Sequence, residues 1–167
     1  MNPLQRIARH PWAYRWLILA QRPLIERLEP MLRWITRGQF GVLDLAGLPC
    51  AQITVPGRKS GLSRTATVQY VPDGDSMLLV GSNWGCPAHP SWTANLQSAQ
   101  RATVRRRREQ FTVDVQQLTG NHRDAAWNTI VAHWPNYAIA QRLAANRQFR
   151  LFRLTPSPAE RSRHEQS

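Results

Sequence analysis

The apolar positions change their spacing along the chain, from a helical period near the N-terminus to a strand period after Gly41. In residues 11–37, bulky apolar side chains alternate with arginines at helical spacing, which predicts an amphipathic segment. Pro23 and Pro30 divide it into short helical pieces, because proline removes a backbone hydrogen bond and clashes with the preceding turn. After Gly41, short apolar runs alternate with glycine- and proline-containing turns, as expected of strands.

These runs, with the helical patterns between them, predict an α+β domain. The predicted strands are Val42–Ala46, Ala51–Val55, Thr65–Val71, Met77–Ser82, Arg101–Arg106, Gln110–Gln117 and Phe149–Leu154. The predicted helices are Ser91–Gln97, His122–Ala132 behind a Thr119-Gly120-Asn121 cap, and Asn136–Ala144. This order is typical of a small, mostly antiparallel β-barrel of about six to seven strands with helices packed outside. We expect a helical segment at 1–40, the barrel domain at 41–156 and a disordered polar tail at 157–167.

Composition and charge narrow the classes of partner and compartment. The 167 residues make one domain, and a net charge of +12 predicts an anionic partner such as nucleic acid, an acidic membrane surface or a phosphorylated small molecule. Two cysteines, Cys50 and Cys86, exclude a disulfide scaffold and a cysteine-rich zinc site, and they fit a reducing cytoplasm. The chain shows neither a secretory signal nor an apolar run of membrane-spanning length, so we expect a cytoplasmic protein that is soluble or peripheral.

Two interpretations of the N-terminal segment stay open. Residues 1–40 contain Trp12, Trp16 and Trp34 among seven arginines, which suits a helix lying on an anionic membrane interface. This interpretation places the protein on the inner face of the membrane. The same amphipathic pattern is equally typical of a helical lid that packs on the domain core.

Common catalytic motifs do not occur in the sequence. It contains no nucleotide-binding G-x-G-x-x-G or G-x-x-x-x-G-K-[ST], no G-x-S-x-G nucleophile elbow and no H-E-x-x-H metal motif. The five histidines have no ligand spacing, so no metal site is predicted. These exclusions leave a site made of cations, backbone amides and aromatic rings, which binds an anionic molecule and lets a cofactor supply the reactivity.

Two segments can form such a site. In GRKSGLSR (57–64), three cations surround a tight glycine-flanked loop, which predicts a phosphate or carboxylate cradle, although a solvated basic turn has the same composition. The second segment runs from Val80 to Leu96, where a glycine-rich loop follows an apolar strand and leads into a helix. Small residues there allow a flat ring to approach, although an ordinary strand–loop–helix with tryptophans in the core has the same pattern.

Together the segments resemble the deazaflavin-dependent nitroreductases, split-barrel enzymes that use coenzyme F420. The family pattern runs G-R-[KR]-[ST]-G-x-x-R, then A-S-x-G-G, then P-x-W-x-x-N-L, then an aromatic-Pro-x-[FY] element before a last strand. This chain has GRKSGLSR (57–64), GSNWG (81–85), PSWTANL (90–96), WPNY (134–137) and RLFRLTP (150–156). The resemblance covers residues 41–156. It departs from the pattern at Ser63 and Thr67, where prolines are usual, and at Asn83-Trp84.

The resemblance implies a cofactor and a set of site residues. The phosphate and carboxylate tail of F420 would lie on the basic loop, and the ring would rest on the end of the following apolar strand. The implied cofactor-binding residues are Gly57, Arg58, Lys59, Ser60, Arg64, Thr67, Val68, Val80, Gly81, Ser82, Asn83, Trp92 and Asn95. The implied substrate pocket is Gln69, Trp134, Tyr137 and Ala140, where well-known members carry several tyrosines. Tyr137 is the candidate catalytic residue, which orients the acceptor or relays a proton.

The implied activity is hydride transfer from reduced F420 to a quinone-like, nitroaromatic or unsaturated small-molecule acceptor. Two alternatives remain. A related split barrel could bind FMN, because both cofactors carry a phosphate on a ribityl arm. A non-catalytic nucleic-acid-binding protein would use the arginine run at 105–108, which is the weaker hypothesis because such a run is more often a solvated hairpin turn.

Overall fold

Six antiparallel strands close into a barrel in the computed structural model of the protein, which describes residues 27–28, 31, 49–144 and 147–158. The strands are β1 (Cys50–Pro56), β2 (Ser63–Asp73), β3 (Ser76–Val80), β4 (Arg101–Arg106), β5 (Glu109–Leu118) and β6 (Leu151–Pro156). Their order around the barrel is β1-β2-β3-β6-β5-β4, and the pairing of β4 with β1 closes it. The predicted α+β barrel is therefore confirmed.

Three helices connect the described strands at one end of the barrel. α1 (Ser91–Gln97) follows a short 3-10 turn at Asn83–Gly85 and links β3 to β4. α2 (Gly120–His133) and α3 (Asn136–Leu143) link β5 to β6. The loop 57–62 between β1 and β2 lies at this same end, which we call the helical end. The tight β2–β3 and β4–β5 turns lie at the opposite end.

Alternation along the strands divides the apolar side chains between two cores, because successive residues of a strand face opposite sides of the sheet. The barrel interior includes Ile53, Leu79, Val104, Val113 and Phe152, each at most 1% exposed. On the outer wall, Leu78 and Leu151 pack with Ile130 of α2 and Tyr137 of α3. The outer core therefore fixes α2 and α3 against the barrel.

Most predicted elements agree with the structure, and the differences lie at their ends. α1 and β4 have the predicted bounds. β3 ends at Val80 rather than Ser82, because the Ser82 backbone N–H turns back to donate to the Val80 carbonyl at 2.8 Å. β6 begins at Leu151 rather than Phe149, whose backbone N–H donates to the Gln141 side chain at 3.0 Å instead of to a strand.

Several predicted segments lie outside the described residues. These are the strand Val42–Ala46 and the N-terminal segment 1–40, except that residues 27, 28 and 31 are helical. At the other terminus, Ser157 is 6% exposed, and its backbone N–H donates to the Thr112 carbonyl at 3.0 Å. Residues 159–167 are not described.

Candidate functional site

The basic loop, residues 57–64, is a closed turn at the helical end. The Gly57 N–H donates to the Leu62 carbonyl at 2.8 Å, and the Gly61 N–H donates to the Gly57 carbonyl at 2.7 Å. Gly61 has φ +69°, a conformation that L side chains rarely adopt. These two bonds and the glycine shape the loop so that its side chains project outward.

Among the described residues, no carboxylate neutralises the cations of this loop. Arg58, Lys59 and Arg64 are exposed, and within the described part of the chain none of them pairs with an acidic side chain. The backbone N–H groups of Lys59 and Ser60 likewise have no described protein acceptor. Cations and backbone amides on one turn are a donor set that binds phosphate and carboxylate groups.

One hydrogen bond joins the two predicted segments. The Arg58 backbone N–H donates to Oδ1 of Asn95 on α1 at 3.2 Å, although the two residues lie 37 positions apart. Asn95 therefore holds the basic loop against α1, and its amide oxygen is engaged in doing so. On the same helix, Trp92 is half-buried and packs on Phe152 of the barrel interior with ring centroids 6.1 Å apart.

The strand end at Val80 continues into a loop of unusual backbone conformation, residues 81–89. Three consecutive residues are left-handed, with φ 45° at Asn83, 57° at Trp84 and 81° at Gly85. The Asn83 side-chain amide closes the loop by donating to the Ala88 carbonyl at 2.9 Å. Left-handed non-glycine residues are uncommon and persist only where the surroundings hold them, so other groups must fix this loop.

Arg147 is the group that fixes the 81–89 loop, and sequence reasoning missed it. Its guanidinium donates to the carbonyls of Gly81 (2.8 Å), Ser82 (2.6 Å) and Cys86 (2.8 and 3.0 Å). It also lies 3.3 Å from Nδ1 of His89 and 4.7 Å from the ring centre of Phe149. Burial lowers the pKa of this guanidinium. The sequence offered no signal for it, because it is one of many arginines and lies about sixty residues from its partners.

The residues of the predicted substrate pocket come together, but they do so in the outer core. Trp134, Tyr137 and Ala140 are at most 5% exposed. The Tyr137 hydroxyl donates to Oε1 of Gln69 at 3.3 Å, linking α3 to β2. These four residues therefore share one buried region between the helices and the barrel wall.

The predicted cofactor-binding residues on β2 face opposite sides of the sheet. Val68 packs in the barrel interior, whereas its neighbour Gln69 meets α3 on the outside. Thr67 lies on the outer side with Gln69 and is exposed, since strand residues two apart share a face. The Thr67 and Val68 side chains thus cannot both contact one ligand. Val80 is also buried, in the outer core, so its side chain packs against protein rather than facing solvent.

The arginine run at 105–108 lies at the barrel end opposite the basic loop. It forms the turn between β4 and β5, in which Arg106 pairs with Glu109 at 3.2 Å and lies 5.9 Å from the Phe111 ring centre. The two arginine-rich regions therefore do not form one site.

Within the described residues, no group of three or more histidine, cysteine, aspartate or glutamate side chains could hold a metal ion. Nor does this part of the chain contain a helix that is long and apolar enough to cross a membrane.

Solved structures share this architecture. An F420-H2 dependent reductase matches with a TM-score of 0.57 and 27% identity, covering 64% of this chain and 93% of that chain. A chain described as a domain-swapped dimer gives a TM-score of 0.57 and 27% identity, covering 64% of this chain and 79% of its own.

Sequence comparison leads to the same family. An F420H(2)-dependent quinone reductase of Mycobacterium tuberculosis is 31% identical over 84 residues, which are 50% of this chain and 56% of that protein. The chain thus matches curated relatives over about half of their length. Residues 32–155, well over half of the chain, match the model of the F420H(2)-dependent quinone reductases. On this match, the chain belongs to the F420H(2)-dependent quinone reductase family.

Proposed function

We propose that the protein is an F420H2-dependent oxidoreductase that reduces a small, quinone-like acceptor. The observation that carries the proposal is the bond from the Arg58 N–H to Asn95, which joins the basic loop to the helix behind the glycine-rich strand end. An anion cradle and a surface for a flat ring are thereby held together at the helical end of the barrel. Family membership and the reductases it resembles support the same reaction class.

The donor set of the basic loop fits the anionic part of the cofactor. Arg58, Lys59 and Arg64 are exposed cations without carboxylate partners among the described residues, and Ser60 adds a hydroxyl. These groups would hold the phosphate and the carboxylate tail, with the free N–H groups of Lys59 and Ser60 directed at oxygen acceptors. Gly57 and Asn95 would act as supports that shape and anchor the loop rather than as direct contacts.

The other end of the cofactor would rest on the strand end and the 81–89 loop. Bound there, the reduced deazaflavin supplies a hydride, so no protein side chain needs to act as a nucleophile. The ring would rest on the strand end at Val80–Asn83, and the Trp92 ring would lie near it. Tyr137, with Gln69, Trp134 and Ala140, would shape the acceptor side of the site, where a phenol can hydrogen-bond to developing negative charge.

A binding titration tests the cofactor assignment. The full-length protein is titrated with oxidised F420 and, in parallel, with FMN, with fluorescence as the readout. We expect Lys59→Ala and Arg64→Ala each to weaken F420 binding by about 1–3 kcal/mol, the range for a lost charge-assisted contact. Arg108→Ala is the matched control, since it removes one positive charge at the opposite end of the barrel. Unchanged affinity in both loop variants would refute the cradle, and tight binding of FMN alone would replace F420 as the cofactor.

The proposal extends to the cellular location in which the protein acts. A quinone acceptor that resides in a membrane would explain the surplus of positive charge, which at +12 exceeds what one cofactor requires. On this proposal, a cytoplasmic protein would meet the membrane through residues 1–37, most of which lie outside the described residues.

A further inference from the structure

His89 is held in one tautomer by the buried arginine beneath it. Nδ1 of His89 lies 3.3 Å from Nη1 of Arg147. A guanidinium nitrogen only donates hydrogen bonds, so Nδ1 must accept, and the neutral ring must carry its proton on Nε2. The same guanidinium is itself fixed by the carbonyls of the 81–89 loop, which leaves it little freedom to release His89.

The surroundings also keep this imidazole neutral. Burial lowers the pKa of His89, and the positive charges of Arg150 and Arg147 lower it further. Among the described residues, the thiol of Cys86 is a further titratable group near Arg147. Arg150 is held beside the ring by a bond from its Nη1 to Oγ1 of Thr93 at 3.1 Å. Protonation would put a proton on Nδ1, facing the Arg147 guanidinium, so a neutral ring preserves the bond from Arg147 to Nδ1.

The proposed reaction needs a donor of this kind. A quinone becomes a hydroquinone by taking a hydride from the reduced cofactor and a proton from water, and negative charge grows on its oxygen in between. A fixed N–H group beside that oxygen stabilises the charge without giving up its own proton. Tyr137 as a residue is 5% exposed and its hydroxyl donates to Gln69, whereas His89 is only half-buried and belongs to the loop at the proposed ring site.

Building on the proposed reductase function, we infer that His89 is a catalytic hydrogen-bond donor to the acceptor oxygen through Nε2–H, and that Arg147 is the positioning residue that fixes its tautomer. Arg147 would act only through His89 and the loop carbonyls.

The tautomer can be tested without cofactor or substrate. Long-range ¹⁵N–¹H spectra of the full-length protein identify which imidazole nitrogen carries the proton at about pH 7. We expect the Nε2–H form for His89 and a pKa below the ordinary histidine value. Arg147→Gln should release the tautomer and raise the pKa. Arg150→Gln, which removes a charge but leaves the bond to Nδ1, should raise the pKa and keep the tautomer. An Nδ1–H form in the unmodified protein would overturn the inference.

Two isosteric substitutions then separate the role of the Nε2–H donor from that of the Nδ1 acceptor that Arg147 binds. In His89→Asn the side-chain oxygen replaces Nδ1 as acceptor for Arg147, but no group replaces Nε2–H. In His89→Gln the amide N–H takes the place of Nε2–H. We expect His89→Asn to lower kcat about 100-fold while F420 affinity stays within about twofold, and His89→Gln to recover part of the loss.

Controls distinguish failure of this inference from failure of the proposed function. His122→Asn, on the exposed start of α2, should leave kcat unchanged. If the unmodified protein oxidises reduced F420 and His89→Asn has the same kcat, the role of His89 is overturned and the reductase function stands. If the unmodified protein neither binds nor oxidises reduced F420, the proposed function fails, and the donor role of His89 fails with it.

Discussion

Replacing Gly85 by alanine tests whether α3 is packed against the 81–89 loop. Gly85 has φ +81°, and a Cβ at this position would lie 2.8 Å from the Ala140 backbone oxygen and 3.0 Å from Cβ of Leu143. The left-handed conformation costs an alanine about 1–2 kcal/mol. The contact with helix backbone cannot be relieved by rotating a side chain, and such overpacking costs about 1–3 kcal/mol. We therefore expect Gly85→Ala to lower the free energy of unfolding by about 2–5 kcal/mol in total.

The matched control is Gly61→Ala, which separates the two contributions. Gly61 has φ +69°, but a Cβ there would meet nothing within 4 Å. It should show only the conformational cost of about 1–2 kcal/mol. Both substitutions restrict the unfolded chain equally, so that effect cancels in the comparison. The difference between the variants then measures the contact with α3.

Urea unfolding followed by circular dichroism provides the measurement, and thermal melts check it. For a protein of this size, each kcal/mol shifts Tm by about 2–4 °C, so Gly85→Ala should melt about 4–20 °C below the unmodified protein. The Tm of Gly61→Ala should lie between those of Gly85→Ala and the unmodified protein. Equal losses in the two variants would refute the reasoning, because they would show that the Ala140 carbonyl does not confine the loop at Gly85.

Three further predictions concern the tight turn, the buried tyrosine and the N-terminal segment. Arg107 has φ 54°, so Arg107→Gly should raise the free energy of unfolding by about 1 kcal/mol. Its neighbour Arg108 has no positive φ, so Arg108→Gly should lower the free energy of unfolding. A change of the same sign in both variants would contradict the turn geometry. Tyr137→Phe should lower turnover with menadione or a nitroaromatic more than it lowers F420 affinity, and equal turnover would exclude a role for the hydroxyl that now donates to Gln69. Deleting residues 1–37, which carry seven arginines and two acids, should weaken sedimentation with anionic vesicles more than cofactor binding. A large fall in Tm on deletion, with no vesicle binding by the intact protein, would support the lid interpretation instead.

The chain's local patterns were sufficient to place most of the described elements. Alternating apolar residues predicted the strands, and α1 and β4 have the predicted bounds, because side-chain period and turn residues act within a few positions of the chain. The composition of residues 57–64 also predicted a tight, glycine-flanked loop with three cations, since glycine and cation placement are local properties. The resemblance to F420-dependent enzymes depended on the order of such local motifs, and family membership confirms it.

Contacts between distant positions were decided by the tertiary structure alone. The closure of the barrel by β4 and β1, the bond from Arg58 to Asn95 and the packing of Tyr137 against Gln69 each join residues that share no local pattern. Arg147 shows most clearly why such contacts could not be predicted from local patterns. All but one of the 22 basic residues are arginines, and a guanidinium binds any carbonyl that the fold brings within reach. Only the fold, which packs α3 against the 81–89 loop, brings this arginine to the carbonyls of Gly81, Ser82 and Cys86.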